Sequence, residues 1–305
     1  MTKFRRVLAV TDFSSGGKRA VDRAARIAVE HGAGLELLHV VNRQPLQLLR
    51  RFVPALETRS ENDIIAAAKK ALDELAGSLH KRQGVRAVTA VCAGNPYREI
   101  AAQAETSRPD ITVIGAHGEH FSKGVLMGAT AQKVARAVSS PVLVVRAEAR
   151  RPYENVLAPV DLSQDSREAV EMAVRIAPRA SLYVLHAYEP LFEDKAYLAD
   201  ASKEALAHYR RTVEDGARKH IDQLIAQSTL DDTVATRLIR RGHARQVIDE
   251  VTREMDIDLV VMNARGQSEI SRFFLGSVSL HVLLETPVDL LLMRTPGGQP
   301  ASREA

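Results

Sequence analysis

The chain has 305 residues, 45% hydrophobic and 26% charged, with 4% aromatic residues and no tryptophan, which are the values of a soluble globular protein long enough for two domains. Cores must therefore be built from Val, Leu, Ile and Ala, which suits α/β layers better than an all-β fold. The formal charge of +4 is modest and its Lys and Arg are interleaved with Asp and Glu, so no nucleic-acid partner is expected.

In chain order, the N-terminal stretch MTKFRRVLAV carries no apolar leader segment, and no apolar run reaches the length of a membrane span, so a cytoplasmic location is expected. Continuous apolar runs at 6–10, 34–41, 85–93, 111–115 and 141–145 predict buried strands. Amphipathic stretches at 17–30, 62–80, 96–105 and 131–138 predict the helices between them, with Asn95-Pro96 as a helix entry. Cys92, the single cysteine, lies in AVTAVCA and reads as a small core residue, which excludes an intrachain disulfide and fits a reducing compartment. The order then recurs. Val7–Ala28 and Val156–Ala177 share eleven of 22 positions at an offset of 149 residues, and LELLHVV pairs with LYVLHAY, PDITVIGAHG with IDLVVMNARG, and LMGAT with FLGSV.

The chain is thus a duplication: residues 1–148 and 153–295, followed by a tail at 296–305 expected to be disordered. The predicted fold class is α/β, two tandem doubly wound domains, each a five-stranded parallel sheet of Rossmann-like type with helices on both faces. The fifth strands, PVLVV and PVDLL, are apolar edges, which leads us to expect an intrachain pseudo-dimer pairing Val142–Val145 with Val288–Leu292, and a homodimer as a further option.

Two segments of each repeat should meet at the carboxyl end of the sheet. One follows the first strand and contains Asp12 or Asp161. The other follows the fourth strand: Gly115, Gly118 and Gly128 are spaced G-x2-G-x9-G, with Thr130 nearby, while the second repeat has Asn263, Arg265, Gly266, Gly276 and Ser277. Glycines admit a phosphate close to the backbone, and the last of them opens a helix whose free N–H groups favour an anion. This pattern, doubled in register with an early Asp, resembles the universal stress protein family. The fold resembles that of the adenine nucleotide alpha-hydrolases.

The resemblance implies ATP or another adenine nucleotide, with magnesium as an accompanying ion. It further implies that Asp12 and Asp161 lie near ribose and adenine, that Val40 and Ala187 offer adenine a backbone contact, and that the glycines hold phosphate. The first repeat departs from the pattern at Ala129 and places Glu119 in the phosphate loop; the second replaces the first glycine by Asn263, and its last helix is expected to be two residues shorter. The second repeat is therefore the expected better site. His39 and His186 read as structural, and the HGEH run at 117–120 as a loop in preference to a metal site. With no Walker A motif and no nucleophile elbow, the expected function is a regulatory nucleotide-binding protein of the stress response, not an enzyme. Two alternatives stay open: a weak ATPase or nucleotidyl-transfer enzyme, and an interaction protein with degenerate pockets.

Overall fold

A computed structural model describes residues 3–43, 61–118, 127–163, 165–189, 203–228, 235–264 and 275–294. The chain divides into two compact units, one holding described residues 3–152 together with 283–294, the other 153–264 with 275–282. The expected α/β fold is present in both. Among the described residues no helix is long and apolar enough to cross a membrane.

In the first unit the elements run β1 (Arg6–Val10), α1 (Ser15–His31), β2 (Gly34–Asn42), α2 (Glu61–Gln83), β3 (Ala87–Gly94), α3 (Pro96–Ser107), β4 (Ile111–Gly115), α4 (Ala129–Ala137) and β5 (Val142–Val145). The strands order as β3-β2-β1-β4-β5, all parallel. Strands β1, β4 and β5 are buried on both faces, which is why their sequences are continuous apolar runs and not alternating ones. Helix α1 starts where the Ser14 hydroxyl accepts the Gly17 N–H at 3.1 Å, and ends at Gly32 in the left-handed region. Its buried face is mostly Ala and Gly, so it sits close on the sheet.

The sheet of this unit gains a sixth strand. β10 (Asp289–Met293), from the C-terminal stretch, pairs antiparallel with β5, Leu290 opposite Val144 and Leu292 opposite Val142. The two strands read from the sequence as apolar edges thus pair with each other. Asp289, inside that apolar strand, is fully buried. Its carboxylate accepts the Arg146 and Ala147 backbone N–H groups at 2.7 and 3.0 Å and lies 3.5 Å from Arg23. The Arg146 guanidinium donates to the carbonyls of Leu283 and Val288. Burial pulls the Arg146 guanidinium down to about 10, with Asp289 opposing the shift.

The second unit contains β6 (Asn155–Pro159), α5 (Ser166–Ile176), β7 (Ser181–Tyr188), α6 (Lys203–Gln227), β8 (Ala235–Arg241), α7 (Ala244–Glu254), β9 (Leu259–Asn263) and the first turns of α8 (Ser277–Glu285). Its strands order as β9-β6-β7-β8. Helices α4 and α8 are both nine residues long, so α8 is not the shorter helix expected from the sequence. The two missing residues come out of the stretch between helix and proline, three residues (138–140) before Pro141 and one (286) before Pro287, where chain can be removed without losing helical hydrogen bonds. Cys92 is half-buried, not a full core residue, and burial with Glu99 and Glu36 nearby pushes its thiol up, away from the reactive thiolate.

Removing one member of a buried ion pair strands the other. Asp289→Ala should lower unfolding stability by about 3–5 kcal/mol in urea titrations. Asp289→Asn, which keeps an oxygen for the Arg146 and Ala147 amides, should lose less; an unchanged midpoint for Asp289→Ala would contradict the role given to this carboxylate.

Candidate functional site

The site begins at the end of the first strand of each repeat. In the first, Asp12 accepts the Ser14 N–H at 3.1 Å and the Ser14 hydroxyl at 2.5 Å. In the second, the same oxygen of Asp161 accepts the Ser163 N–H at 3.1 Å, the Ser163 hydroxyl at 2.6 Å and the Ser166 hydroxyl at 2.8 Å. These turns force the intervening residue, Phe13 or Leu162, to positive φ of 65° and 61°. A bulky side chain in that region is strained, and the strain recurs at the same position of both repeats. His39 donates from Nδ1 to the Thr11 carbonyl at 2.8 Å, and His186 to Val160 at 3.0 Å, since a carbonyl can only accept. The histidines therefore hold the turn to the second strand, the structural role read from the sequence.

The turn after the fourth strand faces this one across the sheet's switch point. In the first repeat the two turns touch. A Cβ on Gly115 would lie 2.6 Å from the carbonyl carbon of Gly16, one on Gly118 would lie 2.6 Å from the Asp12 carboxylate, and one on Gly16 would overlap the His117 carbonyl. Gly17 is similarly confined, 2.7 Å from Asp12 and Thr11 oxygens. These glycines serve the protein's own close packing. Gly128 is different: a Cβ there would meet the Ala116 oxygen at 3.5 Å and the Gly118 nitrogen and His117 Cα at 3.9 Å, all ordinary contacts. Thr130 is exposed on the first turn of α4, and Val40 is half-buried on β2 opposite Cys92.

The second repeat replaces three of the crowded positions. Asp165, Ser166 and Asn263 stand where the first has Gly16, Gly17 and Gly115. Asn263 Nδ2 donates to the Asp165 carbonyl at 2.7 Å, so a side chain spans the gap that glycines close in the first repeat. Beside it lies a cavity of about 290 Å³. Its walls include Asp161, Ser166, His186, Ala187, Asn263, Gly276, Ser277 and Ser279, with Leu185, Ala244, Ile248 and Met262 supplying apolar surface. A cavity of this kind, apolar with a few convergent polar groups, suits a small molecule.

Gly276 opens α8, and its own N–H is committed to the Ala264 carbonyl at 2.9 Å, as Gly128's is to Ala116 at 2.8 Å. The first helical bond runs from Leu280 N–H to the Gly276 carbonyl. The donors available to an anion are therefore those of the following first turn, which have no intrahelical acceptor. The buried Ser279 hydroxyl braces that turn, within 2.7 Å of the Ala264 carbonyl and 3.0 Å of the Gly276 carbonyl.

Of the residues expected from the sequence, Asp161, Ala187, Asn263, Gly276 and Ser277 come together in this cavity. Asp12, Gly115 and Gly118 come together against the protein's own backbone. Arg265 and Gly266, with Glu119 and His120, lie outside the described residues. The sequence reading missed Ser166 and Ser279. Ser166 was detectable as the partner of Gly17 in the repeat alignment; Ser279 had no such signal.

The fold and this crevice define a tandem doubly wound α/β protein with a cavity at the strand-order switch of its second repeat. Comparison with known proteins narrows the class. The family model for the universal stress protein family matches twice, at residues 3–146 and 152–294, and the chain belongs to that family. Universal stress protein A homolog 1 of Coxiella burnetii is 29% identical over 142 residues, covering 47% of this chain and 96% of its own length. A universal stress protein of Archaeoglobus fulgidus superposes with a TM-score of 0.69 at 19% identity, covering 95% of this chain and 98% of its own. A putative universal stress protein of Pseudomonas aeruginosa gives 0.63 at 19% identity, covering 95% and 93%. At such identities the structural likeness establishes the tandem fold alone.

The contrast between the turns has a direct stability consequence. Gly115→Ala should cost about 1–3 kcal/mol, because backbone stands where the methyl must go. Asn263→Ala already has its Cβ accommodated and should cost about 1 kcal/mol, the value of its bond to Asp165. Thermal or urea unfolding of the two variants compares them; equal losses would contradict the account of the turns.

Proposed function

We propose that this protein binds an adenine nucleotide in the cavity of its second repeat and acts as a cytoplasmic regulatory protein of the stress response, without fast turnover. The observation that carries the reading is the cavity itself. An acidic residue, an apolar wall and a helix N-terminus converge on one space at the switch point between β6 and β9. A purine base suits the apolar surface of Leu185, Ala244 and Ile248, the sugar suits the carboxylate of Asp161, and phosphate suits the first turn of α8 with the Ser277 hydroxyl. Thr130, Gly128, Val40 and Asp12 are the counterparts in the first repeat, which we read as the weaker site because its turns are pressed together.

Several features favour binding over catalysis. Two seryl hydroxyls and an amide hold one Asp161 oxygen, which makes this residue an anchor in place of a general base. Among the described residues no three His, Cys, Asp or Glu side chains gather to hold a metal, so this reading brings magnesium in on the phosphates. The same reading treats the two repeats, residues 1–148 and 153–295, as an intrachain pseudo-dimer joined at β5 and β10, with homodimerisation open to sedimentation measurements.

Mass spectrometry of ligand released from gently purified protein should show an adenine nucleotide. In calorimetric titration, Gly276→Val should weaken nucleotide binding by at least about tenfold, since a branched side chain obstructs the helix N-terminus, and Gly128→Val should weaken it less. A larger loss at Gly128 would reverse the assignment of the better site.

A further inference from the structure

A hydroxyl has changed places between the repeats. In the first, the Thr11 hydroxyl after β1 accepts the Phe13 N–H at 3.0 Å. The start of α1 brings Gly17 to the same corner, where a Cβ would lie 2.7 Å from the Asp12 and Thr11 oxygens. In the second repeat Val160, which has no hydroxyl, stands for Thr11, and Ser166 at the start of α5 stands for Gly17. Ser166 is only 2% exposed and lines the cavity. Its Oγ accepts the Asp161 N–H at 3.3 Å and donates to Asp161 Oδ1 at 2.8 Å. One hydroxyl thus ties the backbone of Asp161 to its own carboxylate, a bridge that Gly17 cannot supply to Asp12.

The bridge matters because Asp161 is exposed and lines the same cavity. An exposed carboxylate ordinarily turns about its side-chain bonds, and freezing it only when a ligand arrives costs affinity. Here Oδ1 also takes the Ser163 N–H at 3.1 Å and the Ser163 hydroxyl at 2.6 Å, so the carboxylate is oriented beforehand. Ser163 has its counterpart in Ser14, which makes the same two bonds to Asp12. The hydroxyl on α5 is what the second repeat adds. A preset acceptor favours a ligand with a donor at one position and disfavours its analogue without that donor. Resting on the nucleotide reading above, we infer that Ser166 is a positioning residue: it holds the Asp161 carboxylate in the orientation that a ribose hydroxyl meets, and the second repeat's preference for ribose over deoxyribose depends on it.

The test separates orientation from stability. AMP, 2′-deoxy-AMP and 3′-deoxy-AMP are titrated calorimetrically into the full-length chain, into Ser166→Ala, and into a double variant, Val160→Thr with Ser166→Gly, that installs the first repeat's pair. Unfolding midpoints are measured alongside. In the unaltered protein, loss of the hydroxyl that meets Asp161 should weaken binding about tenfold. In Ser166→Ala that ratio should fall to about twofold or less. In the double variant the new threonine can accept the Leu162 N–H, as Thr11 accepts that of Phe13, so the midpoint should recover while the ratio stays collapsed. A serine that only braces the turn would weaken all three ligands alike, or would let the ratio return with the midpoint in the double variant. Either result overturns the inference and leaves the nucleotide site standing, as does equal binding of the three ligands to the unaltered protein. No binding of any of them to the unaltered protein overturns the inference and counts against the nucleotide reading as well. Should Ser166→Ala fail to fold, the ratio in the double variant decides: collapsed, it supports the role of Ser166; retained, it overturns it.

Discussion

The distance between two backbone turns at the carboxyl end of the sheet governs what each repeat can hold. In the first repeat Gly16, Gly17, Gly115 and Gly118 let the turns press together until no Cβ would fit. In the second, Asp165, Ser166 and Asn263 stand at matching places, and a side chain-to-backbone bond of 2.7 Å replaces the contact. Other features near the site are shared: the Asx turn, the strained residue after it, the histidine holding strand two, and the amide of the helix-opening glycine tied to the preceding turn. Duplication thus supplied one scaffold twice, and a few substitutions at the turn gave the copies different crevices.

A second constraint acts at the other end of the chain. A buried carboxylate in an apolar strand is costly unless it is fully paired, and Asp289 is paired by two amides and an arginine. The acceptors of the Arg146 guanidinium are carbonyls of the C-terminal stretch, so charge and backbone both specify where β10 lies against β5. An all-apolar strand could slide along its neighbour, whereas this one has a register fixed by a single charged position.

Much of this was legible in the sequence because it rests on local periodicity. The alternation of apolar runs and amphipathic stretches located the strands and most of the helices, and the repeat alignment brought Asp12 and Asp161 to matching turns. What escaped were relations across the crevice. A glycine in the pattern G-x2-G reads as room for phosphate, yet Gly115 and Gly118 spend that room on Gly16 and Asp12, which are about a hundred residues away in sequence. Asn263 reads as a defective glycine, yet its amide is a structural tie. Asp289 was passed over inside PVDLL because neighbouring apolar residues hid it. In each case the residue type was visible and its partner was not, since the partner is chosen by topology and not by spacing.

The central claim is that the repeats differ, with the tighter nucleotide site proposed in the second. Binding stoichiometry measured by calorimetry with ATP on the unaltered chain, on Asp12→Ala and on Asp161→Ala tests this most directly. The account gives one tight site, retained in Asp12→Ala and lost in Asp161→Ala, with any binding to the first repeat weaker. Two equivalent sites, or a site that disappears with Asp12 and survives without Asp161, would contradict it.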